Sequence, residues 1–433
     1  MNKVFLRQRK VRRVWIRQIL LLLSVVGPGL ITANVDNDAT GITGYSLAGA
    51  QYGYRLLWAV VLITISLAVV QEMVARMGVV TGKGLADLIR EKFGVRITFW
   101  SMLLLLIANT ATTVAEFAGV AGAMDIFGVS PFIAVPAAAI IVWFLVTRGS
   151  YKYVERVLLV LCLIYVTYVA SGFLVHPDWG QVFHQTIAPS LPRGPGEPTG
   201  YLLTLVAVIG TTIAPWMQFY QQSAIADKQI AVKHLQYERI DTYVGAFITD
   251  FVAFFIVVCT GATLFVHHIV IHQASDAALA LEPLVGGNGH IAAILFGIGL
   301  LNASLMAASV LPLSTAYSIA EAFGWERGVN RTFKEAPQFL SLYTFIIVVG
   351  AVITLFVPAG DLVFVLNLPN IVGGMLLPLI LVLMIILCND RRLLGRYVNG
   401  RIFNGVAWAT TIVMTVLTLL IILSALFPGL LGG

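Results

Sequence analysis

Apolar residues run through this chain in windows of about 20, the length a helix needs to cross a bilayer. The windows predict eleven helices, at 19–50, 56–79, 97–126, 131–147, 154–175, 200–226, 242–267, 288–323, 338–357, 361–388 and 403–427. Two of them are interrupted by polar residues. In the first, GPGLITANVDNDATGITG (Gly27 to Gly44) places two carboxylates and a Gly/Thr-rich stretch in the middle of the span. In the sixth, VIGTTIAPWMQFYQQS (Val208 to Ser223) places Gly210, two threonines and Pro215 inside the helix. Matching interruptions in two five-helix halves are the sequence mark of an inverted-repeat transporter whose site lies between the breaks. The expected architecture is therefore an all-α membrane protein, a single transporter domain over 1–433. Repeat one covers about 19–175, repeat two about 200–388, and an extra eleventh helix 403–427.

Composition agrees. Hydrophobic residues make up 59% of the 433 and charged residues 11%, with mean hydropathy +0.90, against roughly 25% charged in a soluble domain. The net charge of +6 raises nucleic acid as a partner, but the basic residues follow the helix boundaries instead. With a cytoplasmic N-terminus, 25 of the 27 Lys and Arg fall in inner segments, and only Arg55 and Arg193 fall outside. That distribution is the positive-inside rule. It predicts an integral inner-membrane protein with N-terminus in and C-terminus out, membrane lipids as its surroundings and no nucleic-acid partner. The basic start before Ile19 imitates a signal peptide, but no small-residue cleavage site follows, so a retained first helix is expected. Cys162, Cys259 and Cys388 lie inside apolar runs and read as buried thiols.

An ionisable group inside a span costs at least ~2.5–3.5 kcal/mol on insertion scales, so each one calls for a reason. Asp36 and Asp38 are two apart and share a side if the segment is extended. Gly41 and Gly44 suggest an unwound helix whose freed carbonyls line a cavity. Two carboxylates favour a hard divalent cation with oxygen ligands, Mg2+ especially, with Asn37 and Thr40 as further candidates. The alternative is that one aspartate caps the second half-helix. At the sixth-helix break Gly210, Thr211 and Thr212 offer carbonyl and hydroxyl oxygens, and Pro215 stops regular helix; a packing glycine with a proline kink is the structural alternative. Ala214 adds no ligand. Neither Asp36 to Gly44 nor Gly210 to Pro215 carries sulfur or imidazole, which argues against selectivity for soft transition metals.

Glu116, deep in the third helix (NTATTVAEFAGVAG), is a candidate for the cation path, and Asn370 in NLPNIVGGMLLP is a polar interruption facing it. Asp250 is placed near the inner side with a basic partner. Glu72 and Arg76 have the i,i+4 spacing of an ion pair, and Glu155 with Arg156 reads as a cytoplasmic pair. All seven histidines fall in loops or at helix ends. No nucleophile–base pair, phosphate loop or HExxH zinc motif is present, so neither an enzyme nor a resident cofactor is expected.

At these two breaks the chain resembles the Nramp family of divalent-metal transporters, over roughly residues 20 to 390. GPGLITANVDNDATG is similar to the family's first helix, where a GPG start leads to an Asp-Pro-Gly-Asn motif; Asp38 falls on the motif aspartate, while Ala39, Thr40 and Gly41 replace Pro, Gly and Asn. GTTIAPWMQFYQQS is similar to Gly-Ala-Thr-Val-Met-Pro-His, with Thr211 at the carbonyl-donating position, Ala214 in place of the metal-binding methionine and Trp216 in place of the histidine. Glu116 matches a family glutamate, Thr113 occupies the place of an aspartate implicated in proton transfer, and Asn370 falls on a polar position near the site. The resemblance implies a LeuT-type 5+5 fold. Its departures look like the Nramp-related magnesium transporters, with space for a partly hydrated ion. Uncoupled uptake of Mg2+, and also Mn2+, by alternating access is the expectation. Two other readings stand beside it: a proton-coupled Mn2+/Fe2+ symporter of the Nramp type, and a sodium-coupled organic-solute symporter.

Overall fold

The computed structural model describes residues 32–33, 35–147, 165–190, 197–329 and 331–426. The opening half of the first predicted helix, the N-terminal basic run, Arg148, Lys152, the Glu155–Arg156 pair, Cys162 and Arg193 lie outside these residues. The described chain forms helices α1 (Ala39–Tyr52), α2 (Leu57–Thr81), α3 (Leu85–Ile126), α4 (Pro131–Thr147), α5 (Val166–Leu174), α6 (Trp179–Ile187), α7 (Glu197–Thr212), α8 (Pro215–Asp227), α9 (Leu235–Thr260), α10 (Gly289–Phe323), α11 (Pro337–Leu355), α12 (Leu362–Cys388) and α13 (Arg401–Leu426). Eight stretches among the described residues are helical, long and apolar enough to cross a membrane, the broken α7–α8 pair counting as one, and α4 is a shorter apolar helix. Each predicted span holds helix among its described residues, α1 and α5 covering only part of theirs.

Differences from the pattern fall at ends and loops. Helix α3 begins at Leu85 rather than 97, bent at Gly94, whose φ of 78° and ψ of 174° lie where a side chain is disfavoured. Its first turns carry Lys92, which reaches Asp390 across the inner surface at 2.5 Å, so hydropathy alone does not mark them as helix. The outer loop after α5, Pro- and Gly-rich in its second half, holds α6. Asp178 caps that helix by accepting from Gln181 N at 3.1 Å.

Helix α1 is the centre of the assembly. Every residue from Ala39 to Gly49 is buried, the condition of a helix enclosed by protein on all faces. It packs against α9, α7, α12 and α3, while α3 runs along α10 and α12, and α9 along α2. Apolar side chains such as Leu62, Phe132 and Phe345 remain more than half exposed on the periphery, as lipid-facing surfaces require. Toward the C-terminal end of α2 the Glu72–Arg76 pair forms at 3.2 Å, and Glu72 also holds Arg239 at 2.7 Å. Arg76 goes on to donate to the Tyr397 carbonyl at 2.6 Å and to Asn399, joining α2, α9 and the α12–α13 connection. Cys259 and Cys388 are buried free thiols.

The α1–α9 contact depends on Gly49, where a Cβ would lie 2.0 Å from Thr260 Oγ1 and 2.6 Å from the Val257 carbonyl oxygen. Because a backbone atom blocks it, Gly49→Ala is expected to destabilise by ~1–3 kcal/mol, read as a lower thermal unfolding midpoint in detergent; an unchanged midpoint would refute this packing.

Candidate cation-binding site

The first break is narrower than the glycines imply. Asn37 and Asp38 form a turn, and regular helix resumes at Ala39. Asp38 has extended backbone (φ −73°, ψ −177°) and is the N-cap of α1. Its Oδ1 accepts from Gly41 N at 2.6 Å and from Thr40 Oγ1 at 2.7 Å. Gly41 and Gly44 are helical; they serve close approach, not unwinding. A Cβ on Gly41 would lie 2.5 Å from the Asp36 carbonyl oxygen, and one on Gly44 would lie 3.0 Å from Asn370 Nδ2. The structure thus gives Asp38 the capping role, through one carboxylate oxygen.

Glu116 completes this terminus. Its Oε2 accepts from Ala39 N at 3.2 Å, and its carboxyl lies within hydrogen-bonding reach of that of Asp38. From the other side Asn370 Nδ2 donates to the Thr40 carbonyl at 2.8 Å, and the Tyr165 hydroxyl donates to the Asn37 carbonyl at 2.9 Å. Thus α3, α12 and α5 each hold one polar group of the break.

The second break lies between Thr212 and Pro215, with Ala214 extended (φ −64°, ψ 136°) and Pro215 opening α8. Proline has no N–H to give the carbonyl four residues earlier, so Thr211, the fourth residue back, keeps a free carbonyl. The Ala214 carbonyl is taken instead: the Gln218 amide, oriented to donate, reaches it at 2.5 Å and the Pro215 carbonyl at 2.9 Å. Gly210 is a packing glycine. Its Cβ would lie 2.0 Å from the Asn370 carbonyl oxygen and 2.5 Å from Gly374 N, so α7 crosses α12 backbone to backbone.

Between the breaks lies a cavity with about 20 Å³ of room for the centres of water-sized spheres; one water takes ~10–15 Å³ on that scale. Of the predicted site residues, Asp38, Thr40, Gly210, Thr211, Ala214, Trp216 and Asn370 line it. Asp36, Asn37 and Glu116 do not. The space is smaller than an ion with several waters needs, because the Trp216 indole joins the wall beside the small Ala214. Helix α3 contributes Asn109 and Thr112, which the sequence reading passed over; Asn109 is held by Thr315 Oγ1 at 2.8 Å. Their signal was the polar run NTATT one and two turns before Glu116. Thr113 instead packs against Gly350 of α11 and donates to the Asn109 carbonyl at 2.7 Å.

The expectation that Asp36 and Asp38 act from one side is corrected. Asp36 precedes the turn, in helical backbone, and is absent from the cavity wall. Asp250 has no basic partner among the described residues; it lies in the buried interior of α9. No three His, Cys, Asp or Glu side chains converge among the described residues, so the cavity offers a mixed set of carboxylate, carbonyl, amide and hydroxyl groups, without sulfur or imidazole.

A family model described as natural resistance-associated macrophage protein-like (Nramp) matches residues 29–424. The divalent metal cation transporter MntH of Ralstonia nicotianae is 27% identical over 422 residues, spanning 92% of this chain and 90% of that protein. Among solved structures, a manganese transporter of Eremococcus coleocola in complex with an aromatic bis-isothiourea substituted compound superposes with a TM-score of 0.75 at 22% identity, covering 94% of this chain and 88% of the other. MhsT in complex with L-phenylalanine superposes with a TM-score of 0.59 at 13% identity, covering 92% and 98%. At these identities the structural likenesses speak to the fold alone, which is all-helical and of the LeuT type.

The capping role of Asp38 is separable from any ligand role. Asp38→Ala is expected to lower stability by ~1 kcal/mol through loss of the cap, while Asp38→Asn, which keeps an acceptor for Gly41 N, recovers most of it. Equal unfolding midpoints for the two variants in metal-free buffer would refute the cap.

Proposed function

Since the chain belongs to the Nramp family, we propose that it carries divalent cations across the membrane by alternating access at the cavity between Asp38 and the α7–α8 break. Mg2+ is the principal substrate in this reading, with Mn2+ also accepted. The MntH relatives are transporters of divalent metal cations rather than enzymes. The observation that carries the Mg2+ reading is the chemistry of the wall: Asp38, Thr40, Thr211, Asn109 and Asn370 offer oxygen, and no methionine, cysteine or histidine lines the space. Hard oxygen ligands suit Mg2+ and Mn2+, whereas thioether and imidazole favour later transition metals. Asp38 supplies the one carboxylate, Thr211 the carbonyl freed by Pro215, and Thr40 and Asn370 hold the ion or its water. Gly210 lets α12 approach, Ala214 and Trp216 set the room, and Asn37 and Glu116 support the break from behind.

Transport follows the gradient and the potential. A +2 charge moving inward across 100 mV gains about 4.6 kcal/mol, at about 2.3 kcal/mol per charge, so no second energy source is required. The inner concentration of Lys and Arg supports placement in a plasma membrane with the N-terminus cytoplasmic and the C-terminus outside.

One observation favours a second reading, proton-coupled Mn2+ symport: the Glu116 carboxyl stands beside that of Asp38, where it has access to the ion site. An organic solute is disfavoured by size, since the cavity is close to one water in volume.

The test is Mg2+ flux into proteoliposomes containing a pH dye. Expected are Mg2+ uptake without acidification, loss of most uptake in Asp38→Ala, and a shift of preference toward Mn2+ in Ala214→Met, where a thioether enters the wall. Absence of Mg2+ flux in the unaltered protein would sink the Mg2+ assignment, and acidification that follows Mn2+ uptake would establish the symport reading in its place.

A further inference from the structure

Among the buried carboxylate oxygens that receive no hydrogen bond are both of Asp36 and both of Asp250. The two residues are 1% and 2% exposed, so water does not compensate them. They come from different elements. Asp36 ends the chain leading into the first break, and Asp250 stands in the middle of α9. The hydroxyl of its neighbour Thr249 donates to the Ala33 carbonyl, tying this turn of α9 to the approach to Asp36. Asp36 follows Ala33 by three residues, so this contact brings the two acids into one neighbourhood, close enough for their charges to interact. Tyr45 of α1 faces the same pair, with its hydroxyl at 2.7 Å from Thr212 Oγ1. The Thr64 hydroxyl is also turned to Asp250, but it gives its hydrogen to the Val60 carbonyl at 2.8 Å. Neither acid has an Arg or Lys partner among the described residues.

We propose that Asp36 and Asp250 form a second divalent-cation site, distinct from the cavity at Asp38. Two buried, unpartnered carboxylates in one neighbourhood repel each other and lack solvation, a combination that something of opposite charge would relieve. A divalent ion cancels both charges; a sodium ion leaves one. Carboxylate and hydroxyl oxygens are the ligands Mg2+ and Mn2+ accept, with waters completing the shell.

Arg239 near the start of α9 binds Glu72 toward the C-terminal end of α2, and Asp250 lies eleven residues beyond it, about 17 Å at 1.5 Å per residue. The second site stands beside the approach to the first break, outside the cavity that Asp38 lines, so its ion would bind without occupying that cavity.

This inference rests on reading the chain as a divalent-cation transporter, and the two fail differently. Mn2+ is titrated into the purified full-length chain in detergent, with free Mn2+ followed by its paramagnetic resonance signal. Two bound ions per chain are expected in the unaltered protein, one in Asp250→Asn, one in Asp38→Asn, and two again in Asp250→Glu, which keeps the charge and serves as the control for folding. One ion in the unaltered chain, or two in Asp250→Asn, overturns the second site alone. No bound ion in the unaltered chain overturns the transporter reading with it.

Discussion

A helix broken inside an apolar core exposes N–H and C=O groups that have no water to bind, and the architecture of this protein follows from how those groups are satisfied. At the first break Asp38 takes the N–H of Gly41, Glu116 takes that of Ala39, and Asn370 and Tyr165 supply donors to the carbonyls of Thr40 and Asn37. At the second, Gln218 turns back onto the Ala214 carbonyl. Pro215, lacking an N–H, gives the Thr211 carbonyl no helical donor. Asp38 and Thr211 both line the cavity between the breaks, and in the function proposed above they are the groups offered to the cation.

Bringing the two breaks together requires backbones to approach more closely than side chains allow. Gly41, Gly44, Gly49 and Gly210 do this, each facing a backbone or polar atom within 3.0 Å of where a Cβ would be. Helix α12 acts as the strut: Asn370 ties it to α1 while its carbonyl and Gly374 receive α7. The same crowding keeps the cavity small. In the function proposed above, selectivity would rest on which atoms line this space of about one water, where Ala214 and Trp216 bring neither sulfur nor imidazole, and the ion would have to shed most of its water to enter.

The polar interior is not confined to that cavity. Before the Asn37 turn, Asp36 is buried without donors, as is Asp250 of α9, and Asp38 lines the cavity while Asp36 does not, so the two acids that look like a pair in sequence serve two different neighbourhoods. The turn separates them: one residue in helical backbone and the next but one in extended backbone do not share a face, and each is claimed by the helix that packs on its own side.

Much of this was open to reading from the chain alone. Hydropathy windows located every span, because a bilayer imposes one length on all of them, and Asp38, Thr40, Thr211, Asn370 and the two breaks were marked by polar groups where none is cheap. The Glu72–Arg76 pair followed from helical spacing. What the linear pattern could not carry was partnership across elements. It did not separate a glycine that unwinds from one that packs, nor place Asp36 against α9 rather than beside Asp38. Nor did it reveal Asn109 and Thr112 in the wall, Gln218 on a carbonyl, or the helix hidden in the outer loop. Cost along the chain is local, so the sequence determined where polar groups had to be explained; which partner explains each depends on contacts between residues far apart in the chain, and only the tertiary packing decided those.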